Sequence, residues 1–339
     1  MWFNNNLTER LNIKYPIFLA PMAELVTPQL AARVSNAGGL GALGMWGFSL
    51  EEGIKRIEHF SELSNGSINI NYPLWNDPGD LNAVEESMCH KVQTLYDRNN
   101  LGTMPVPCAS SCQVFPDHLN ALTKIKPALV SFHFGLPEEN IIAELKSAGV
   151  CILSSATTVA EAKLLEAGGV DFIVAQGLEA GGHRGTFSNV DVSMQSGLFS
   201  LLPQVVDAVD VPVIAAGGIS NGRGIAAAIM LGASGVQMGT AFLRCDEANV
   251  TDAYRAGLNA AQEASTVVSN VISGRNARFI KNTLIEELSG LEPLPFPAQY
   301  GLTLPLGDSG NKEFTDLLAG QSVAMTREMP ATDLMQKLV

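Results

Sequence analysis

Residues 211–240 read VPVIAAGGISNGRGIAAAIMLGASGVQMGT, and they hold the clearest signal of the fold. An apolar run at residues 211–216 ends in two glycines, a helical pattern follows at residues 222–231, and a second apolar run occupies residues 235–238. Continuous apolar runs are typical of strands buried on both faces, and a helix between two of them connects parallel neighbours. The stretch therefore predicts a β-α-β unit.

The same alternation of strand and helix extends over most of the chain. Six further apolar runs precede this unit, at residues 16–20, 39–43, 68–71, 128–134, 150–154 and 172–175. Helical patterns lie between the runs, at residues 27–37, 51–63, 137–148, 158–167 and 198–208. About eight such repeats favour a closed (β/α)8 barrel, the TIM barrel of the α/β class, over an open doubly wound sheet.

Two regions interrupt this rhythm. Residues 72–126 are too long for a single crossover, and they contain a helical pattern around residues 85–98 and a loop rich in proline and cysteine at residues 104–116. The second region is the C-terminal third of the chain. It holds helical patterns at residues 249–263, 283–288 and 312–318, and a proline-rich, irregular segment at residues 292–305.

These interruptions divide the chain into three predicted parts. Residues 1–245 form the TIM-barrel domain, which binds the cofactor. Residues 246–305 form a smaller, mostly helical cap that partly covers the barrel mouth. Residues 306–339 form a C-terminal helical segment that returns to the barrel.

Composition narrows the class of protein. Of the 339 residues, 46% are apolar and 16% are charged, so the chain can bury a large core. The net charge of −13, without any cluster of lysine and arginine, disfavours binding to nucleic acid. No apolar run approaches the ~20 residues of a membrane span, and the polar residues 1–10 lack the pattern of a signal peptide. The five cysteines are an odd number without zinc-binding spacing, so we expect free thiols, no metal and a cytoplasmic location.

Function in such a barrel is located at the carboxyl ends of the strands, where the loops gather. Gly217 and Gly218 follow the seventh strand, and Gly239 and Thr240 follow the eighth. Barrels often bind a phosphate group between these two loops, because glycines let backbone N–H groups approach an anion and a hydroxyl adds a donor. The glycines could instead only permit tight turns, but their occurrence in two consecutive loops favours a phosphate site.

The loop after the sixth strand, QGLEAGGHRG at residues 176–185, is a second candidate site. His183 lies among four glycines, which let a ligand approach the backbone closely. A histidine there can act near neutral pH as an acid, a base or a hydrogen-bond donor. The alternative is a histidine that only orders the loop. For Glu179 and Arg184 we favour a structural role, in which they pair with each other or with neighbouring loops.

His133 is a third candidate, because it ends the fourth strand between two phenylalanines and would project into the barrel mouth. The alternative is a buried structural histidine.

Together these segments resemble the nitronate monooxygenases, formerly called 2-nitropropane dioxygenases, and class I-like members in particular. The resemblance extends over nearly the full chain. The string AQGLEAGGHRG at residues 175–185 is its most specific element, since few other barrels carry it. The other matching segments are residues 15–17 with 20–22, 34–41, 132–137, 212–218 with 222–224, 235–242, 273–275 and 320–322.

The resemblance implies an enzyme that binds FMN without a covalent link. The implied cofactor site consists of Ala20, Pro21, Met22, Asn71, Gln176, Gly181, Gly217, Gly218, Gln237, Met238, Gly239 and Thr240. The amides of Asn71 and Gln176 offer a donor and an acceptor to the edge of the flavin ring, although each could instead cap a neighbouring loop. His183 matches the active-site histidine of the family, while His133 and Asn69 would border the substrate.

The implied reaction is the oxidation of an alkyl nitronate, such as propionate 3-nitronate, by O2 to a carbonyl compound and nitrite. His183 would either hold the nitronate anion or, for a neutral nitroalkane, act as the general base. The alternative function is an NAD(P)H-dependent FMN reductase of the enoyl-acyl-carrier-protein reductase or quinone reductase type. Two segments depart from the family pattern, namely residues 22–25, which lack glycine, and residues 72–76. We therefore expect the substrate pocket to differ from that of the family more than the cofactor site does.

Overall fold

Strands and helices alternate along the chain, of which the computed structural model describes residues 4–79, 81, 86–188 and 190–339. The strands are β1 (Ile17–Leu19), β2 (Gly41–Gly44), β3 (Ile68–Pro73), β4 (Leu129–His133), β5 (Cys151–Ala156), β6 (Phe172–Gln176), β7 (Gly182–His183), β8 (Val213–Ala216), β9 (Gly235–Met238), β10 (Thr266–Ser269) and β11 (Ala277–Ile280). The α-helices are α1 (Asn6–Leu11), α2 (Pro28–Asn36), α3 (Leu50–Leu63), α4 (Glu86–Arg98), α5 (Pro116–Ile125), α6 (Glu139–Ser147), α7 (Val159–Ala167), α8 (Leu198–Val206), α9 (Gly222–Met230), α10 (Asp252–Ala260), α11 (Thr283–Leu288), α12 (Ala298–Asp308) and α13 (Ala331–Leu338).

Eight of the strands form one parallel sheet, in the order β1-β9-β8-β6-β5-β4-β3-β2. The two end strands of this sheet meet, because the amide of Leu40 donates to the carbonyl of Ile17 and the amide of Leu19 donates to the carbonyl of Leu40, both at 2.9 Å. A parallel bridge between Phe18 and Leu40 accompanies these bonds. The predicted TIM barrel is confirmed. Each of the eight apolar runs overlaps one barrel strand, with ends that differ by at most two residues.

The barrel interior changes from apolar to polar along its axis. At the amino end of the strands, Leu7 and Leu11 of α1 pack against Phe18 and Phe172 in one buried cluster and close the barrel. At the carboxyl end the inward side chains are amides, hydroxyls and an imidazole. The sequence does not predict α1, because a helix of six residues is too short to show a periodic pattern.

The helices between the strands surround the barrel as predicted. All six predicted patterns in this part of the chain form helices, namely α2, α3, α6, α7, α8 and α9. Their inner faces join the outward side chains of the strands in one core, in which Leu30, Leu145 and Leu202 are fully buried. The insertion contributes α5, which is not predicted, and α4. Residue 85 of the pattern predicted for α4 lies outside the described residues.

The cap contains strands as well as helices. β11 pairs antiparallel with β10 and also with β7, the short strand that carries His183. The cap sheet is therefore continuous with the loop after the sixth barrel strand. This sheet is not predicted, because its strands are short and its pairing partner lies about ninety residues earlier in the chain.

Two predictions for the C-terminal third of the chain are wrong. Residues 312–318 are not helical, because this segment lies along β11, where the amide of Ile280 donates to the carbonyl of Leu317 at 2.7 Å. Residues 292–305 are irregular only in their first part, since α12 begins at Ala298 and contains Pro305. The helical patterns at residues 249–263 and 283–288 contain α10 and α11.

Two helices from distant parts of the chain complete the structure. α4, from the insertion, packs on α11 and α12, and the hydroxyl of Tyr96 donates to the carbonyl of Leu302 at 2.9 Å. α13, near the C-terminus, packs on α2 and α9 with Leu334 and Leu338 buried. Within the described ranges, no helix is both long enough and apolar enough to cross a membrane.

Candidate active site

A cavity of about 990 Å³ opens at the carboxyl ends of the barrel strands, beneath the cap. Its lining includes every residue predicted for the site except Asn69, namely Ala20, Pro21, Met22, Asn71, His133, Gln176, Gly181, His183, Gly217, Gly218, Gln237, Met238, Gly239 and Thr240. Asn69 precedes Asn71 by two residues on β3 and so lies deeper in the barrel. It is 1% exposed and does not border the cavity, and its Oδ1 has no hydrogen-bond partner among the described residues.

The floor of the cavity is polar. It is lined by five polar side chains from the carboxyl halves of β3, β4, β5, β6 and β9, namely Asn71, Ser131, Ser155, Gln176 and Gln237. The Nδ2 of Asn71 donates to the carbonyl and the hydroxyl of Ser131, at 3.2 and 3.0 Å, and this orients Asn71 Oδ1 away from Ser131. A fixed amide at the floor suits a planar heterocycle with alternating donors and acceptors.

One side of the cavity has the features of an anion site. Gly217 and Gly218, directly after β8, have φ values of +116° and +70°, which other residues rarely adopt. Ser220 follows them, lines the cavity, and has a buried hydroxyl without a hydrogen-bond partner among the described residues. α9 begins two residues later, at Gly222, so its positive end lies beside this loop.

The C-terminal part of the chain completes this side. The amide of Gly320 donates to the hydroxyl of Thr240 at 2.9 Å, and the hydroxyl of Ser322 donates to the carbonyl of Gly218. Gly181 packs against the backbone at Gly320, where a Cβ on Gly181 would come within 2.5 Å of the Gly320 nitrogen. The two predicted anion loops and the sixth-strand loop are thus joined by a segment from the C-terminal region.

The sixth-strand loop is held rigidly by side chains beneath it. Arg184 is fully buried, and its guanidinium donates to the carbonyls of Gln176 and Gly177 and to the side chain of Gln195, at 2.7 to 2.8 Å. Gln176 also holds the loop, because its Nε2 donates to the carbonyl of His183 and its Oε1 accepts from the amide of Gly185. Both ends of the Gln176 amide therefore order the loop. This is the second of the two roles that the sequence allows for Gln176, a cap to a neighbouring loop rather than a contact to the flavin ring.

Glutamates hold the flanks of the same loop. Both carboxylate oxygens of Glu179 lie 2.8 Å from the amide of Leu198, the first residue of α8. Glu161 is fully buried and accepts hydrogen bonds from the backbone or hydroxyls of Thr157, Thr186, Phe187 and Ser188. Burial raises the pKa of Glu161, but the hydrogen bonds from Ser188, Thr186 and Thr157 outweigh it and lower the pKa overall. Glu161 is therefore an ionised anchor for residues 186–188.

His183 lies on β7, lines the cavity and is held by Ser273. Its Nε2 lies 2.9 Å from the Ser273 hydroxyl. That hydroxyl has one proton, which it donates to the carbonyl of Arg275 at 2.9 Å. Nε2 must then carry the proton that it shares with Ser273, which leaves Nδ1 as the unprotonated nitrogen. No described residue donates a hydrogen bond to Nδ1.

Both cavity histidines are neutral at pH 7. Burial lowers the pKa of His183 to about 3, and the charge that His133 carries when protonated and the guanidinium of Arg275 act in the same direction. Burial also lowers the pKa of His133 to about 4, although the carbonyl of His183, 3.2 Å from Nε2 of His133, opposes this. His133 therefore supports the loop that carries His183 as well as lining the cavity.

Several aromatic rings pack around His183. The ring centroids of Trp46, Phe296 and Phe134 lie 5.7, 5.4 and 6.1 Å from that of His183. Tyr300 extends this wall, with its ring 5.5 Å from that of Trp46. Phe134 has a φ of +71°, an unusual conformation for a bulky residue, and the guanidinium of Arg275 stacks 3.8 Å from its ring.

Comparison with known proteins gives the family. The model of the nitronate monooxygenase family matches residues 4–339. The chain belongs to the nitronate monooxygenase family. It is therefore an oxidoreductase, a flavin-dependent monooxygenase.

Individual relatives agree with this family. A probable nitronate monooxygenase from Staphylococcus aureus (strain MRSA252) is 39% identical over an alignment that covers 100% of this chain and 97% of that protein. The crystal structure of a nitroalkane oxidase from Streptomyces ansochromogenes superposes with a TM-score of 0.91 at 36% identity, covering 98% of this chain and 96% of that one. FabK from Thermotoga maritima is more distant, with a TM-score of 0.77 at 28% identity and coverage of 99% and 94%.

Several residues that line or support the cavity of this family member are not singled out by the sequence. Ser273 belongs to a segment that carries the family resemblance, but only the structure shows that it contacts His183. Trp46 follows β2, while Tyr300 and Asp316 come from the C-terminal third of the chain, so no local pattern connects them with the sixth-strand loop. Glu161 occupies the third position of α7, where a carboxylate is ordinary, so its burial cannot be read from the sequence.

Proposed function

We propose that this protein is an FMN-dependent nitronate monooxygenase that converts alkyl nitronates and O2 to carbonyl compounds and nitrite. The observation that carries the proposal is the placement of His183. It lies beside Trp46 in the one cavity at the barrel mouth that the loops of the anion site also line. A flavin phosphate would occupy the anion site, and a substrate would lie between the flavin ring and His183.

The residues present fit FMN. The terminal phosphate would be held by the loops at Gly217–Gly218 and Gly239–Thr240, where the unpartnered hydroxyl of Ser220 supplies a further donor. The ring would lie over the strand ends, with Asn71 Oδ1 available to its edge. Bound there, the flavin supplies the redox chemistry, and the protein supplies orientation, charge and exclusion of water.

His183 has two candidate roles, and its neutrality favours one of them. A general base works best when its pKa is near the working pH, and a pKa of about 3 is far below that range. A nitronate has already lost its proton and needs no base. We propose that the bound anion raises the pKa of His183, so that Nδ1 takes up a proton and donates a charge-assisted hydrogen bond to the nitronate.

The reaction on the substrate is then simple to state. The flavin would accept one electron from the nitronate, O2 would add at the nitronate carbon, and return of the electron would give a peroxy adduct at that carbon. One oxygen atom of the adduct would then pass to a second nitronate and both C–N bonds would break, so that two nitronates and one O2 give two carbonyl compounds and two nitrite ions. The aromatic wall and the cap keep bulk water from this carbon, while His183 holds the nitro oxygens.

A direct assay tests the proposal. Purified protein should be yellow, and heat should release FMN. With ethyl nitronate in air, oxygen consumption and nitrite formation should occur together. A colourless protein that does not take up FMN, or one that consumes no oxygen with any nitronate, would overturn the proposed function.

A flavin reductase is the second candidate, because the same barrel and the same two anion loops would also suit FMN in a reductase. Anaerobic addition of NADH or NADPH separates the two candidates. A reductase bleaches its flavin with one of these nucleotides, whereas we expect the flavin of this protein to respond to a nitronate instead.

A further inference from the structure

We propose that a second cavity, behind Trp46, is a binding site for a phenol, a small neutral aromatic molecule that carries one hydroxyl group. This second cavity has a volume of about 240 Å³ and lies between the outer face of β3 and the helices α3 and α5. It is distinct from the cavity at the barrel mouth, although Trp46 and Gly47 line both. Nothing in the proposed function uses it.

Two helices contribute one face each to the second cavity. The lining residues of each helix follow the spacing i, i+3, i+4, i+7, which places them on one side of that helix. They are Leu50, Gly53, Ile54 and Ile57 of α3, and His118, Ala121, Leu122 and Ile125 of α5. Ala121 is small, so the space between the helices stays open where a larger side chain would fill it.

The other walls of the second cavity are mostly aromatic rings. The ring centroids of Trp46 and Trp75 lie 5.9 Å apart. The ring of His118 lies 5.5 Å from that of Tyr72 and 5.7 Å from that of Phe115. All five rings line the cavity, and walls of this kind favour a flat aromatic ligand. Since an apolar cavity of about 150 Å³ is large enough for benzene, a substituted benzene fits the volume available here.

The lining of the second cavity is uncharged. Among the described residues, no lysine, arginine, aspartate or glutamate lines it. Burial raises the pKa of the Tyr72 hydroxyl, and it raises the pKa of the Cys112 thiol to about 11, so both groups keep their protons at pH 7. Burial also lowers the pKa of His118, although the charge of Asp117 opposes this, so His118 is neutral. A charged ligand would lose its hydration without gaining a counter-charge, and the cavity therefore favours a neutral one.

Tyr72 supplies a hydrogen-bonding group to this cavity. Side chains alternate along β3, so Tyr72 points away from the barrel interior, whereas Asn71 lines the cavity at the barrel mouth. Tyr72 is 5% exposed, and its hydroxyl makes no hydrogen bond with any described residue. The hydroxyl lies near the thiol of Cys112, which also lines the second cavity. Because an unpaired buried hydroxyl costs free energy, Tyr72 favours an occupant that offers it a hydrogen bond.

The second cavity is accessible from outside and adjoins the candidate active site. Its lining includes four exposed residues, Gly47, Ser49, Ser111 and Phe115, between which a ligand can enter. Its opposite end is formed by Trp46, whose ring lies 5.7 Å from that of His183. A bound phenol would therefore contact the far side of a residue that also lines the cavity at the barrel mouth.

Fluorine NMR tests the proposal with a matched pair of probes. 4-Fluorophenol and 4-fluorotoluene have nearly the same shape, but only the first carries a hydroxyl group. Comparing them separates packing against the aromatic walls from hydrogen bonding. Each probe is titrated with the purified protein, and its fluorine signal reports binding. We expect 4-fluorophenol to bind saturably with a Kd of about 1 mM or below.

Tyr72→Phe removes the hydroxyl and keeps the ring. It should weaken the binding of 4-fluorophenol by about three- to tenfold, the net effect of one hydrogen bond, and leave the binding of 4-fluorotoluene unchanged. The control is Tyr96→Phe, which removes a buried tyrosine hydroxyl outside both cavities and should alter the binding of neither probe.

Ala121→Phe fills the second cavity. It should lower the affinity for both probes at least about tenfold, because the space cannot hold a probe and the new ring together. Ala143→Phe, at an exposed position of α6 outside the cavity, is the control. Ala121→Leu replaces Ala121→Phe if the larger side chain prevents folding, and it should lower both affinities in the same direction.

Three outcomes would overturn the proposal. The first is that 4-fluorophenol shows no saturable binding to the parent protein, as expected if the cavity holds only water. The second is full affinity in Ala121→Phe and Ala121→Leu, which would place the ligand elsewhere, for example at the barrel mouth. The third is that Tyr72→Phe affects both probes alike or neither, so that the hydroxyl is not recognised. None of these measurements involves nitronate oxidation, so the proposed function is tested separately.

Discussion

His183 is the residue on which the chemistry of the site depends, and its neighbours give it a defined state. Its Nε2 is committed to Ser273, its pKa is lowered to about 3 by burial, and its Nδ1 is free of described partners. The sequence predicts that this histidine faces a ligand, because glycines surround it at a strand end. The sequence does not predict its protonation, because that depends on Ser273, Arg275 and the cap, which come from elsewhere in the chain.

Removing the imidazole should weaken the hold on the substrate while the flavin stays bound. We expect His183→Ala to retain FMN and to lose about 10- to 150-fold in kcat/KM for ethyl nitronate, which corresponds to about 1.5–3 kcal/mol for a charge-assisted hydrogen bond. Steady-state oxygen uptake measures this loss. His59→Ala, on α3 outside the cavity, is the matched control. Parental activity in His183→Ala would make this histidine a residue that only orders the loop.

Ser273 should act through His183 rather than on the substrate. In Ser273→Ala the Nε2 proton loses its acceptor, so we expect both neutral tautomers of His183 to be populated instead of one. The ¹⁵N chemical shifts of the imidazole report this change directly, and kcat/KM for ethyl nitronate should fall with it. An unchanged tautomer in Ser273→Ala would remove Ser273 from the mechanism.

At the scale of elements, the sequence predicts the barrel well because each strand–helix repeat has its own local pattern. The eight apolar runs and the helices between them need no long-range information. The C-terminal third is different. β7 pairs with β11, which lies about ninety residues later in the chain, and residues 312–318 lie along β11 instead of forming the helix that their own pattern predicts. The site follows the same division: residues at strand ends are predicted, and residues from the cap are not.

The loop after β8 should decide cofactor affinity. We expect Gly218→Val to lower FMN affinity while the protein still folds. A valine is strained at a φ of +70°, and its side chain would obstruct the approach of an anion to the backbone. The control is Gly149→Val, which introduces similar backbone strain at a φ of +85° with open space around it, far from the cavity. Fluorescence titration with FMN compares the two variants. Equal affinity in both would place the phosphate elsewhere.

Glu161 should control the stability of the loop after the sixth strand. Glu161→Ala leaves the amides and hydroxyls of residues 157 and 186–188 without their acceptor, and we expect a loss of about 3 kcal/mol or more in the free energy of unfolding. Urea denaturation measures it, with Glu144→Ala on the exposed side of α6 as the control. A Glu161 variant as stable as that control would show that these hydrogen bonds contribute little.

The whole molecule should be sensitive to acid because its cavity holds neutral histidines. The pKa values of about 3 for His183 and about 4 for His133 lie below the ~6.5 of an unfolded histidine. As pH falls through this window the unfolded chain binds more protons, so stability is lost. Asp316, with a pKa raised to about 6, acts in the opposite direction and contributes stability as pH falls.

Comparing variants isolates the contribution of the histidines. Between pH 7 and pH 4.5 we expect the Tm of the doubly substituted His133→Asn/His183→Asn protein to fall by at least ~2 °C less than that of the parent. His90→Asn, an exposed residue on α4, should behave like the parent. An equal decline in all three proteins would mean that both histidines titrate normally in the folded state.

The central claim is that this cavity binds FMN and passes electrons to it from a nitronate beside His183. Anaerobic mixing of the purified yellow protein with butyl-1-nitronate and, separately, with NADH or NADPH tests this claim most directly, with the flavin absorbance as the signal. We predict that the nitronate changes the flavin spectrum within the time of turnover and that neither nucleotide does. A flavin that is bleached by NADH or NADPH and is unaffected by the nitronate would contradict the claim and establish a reductase instead.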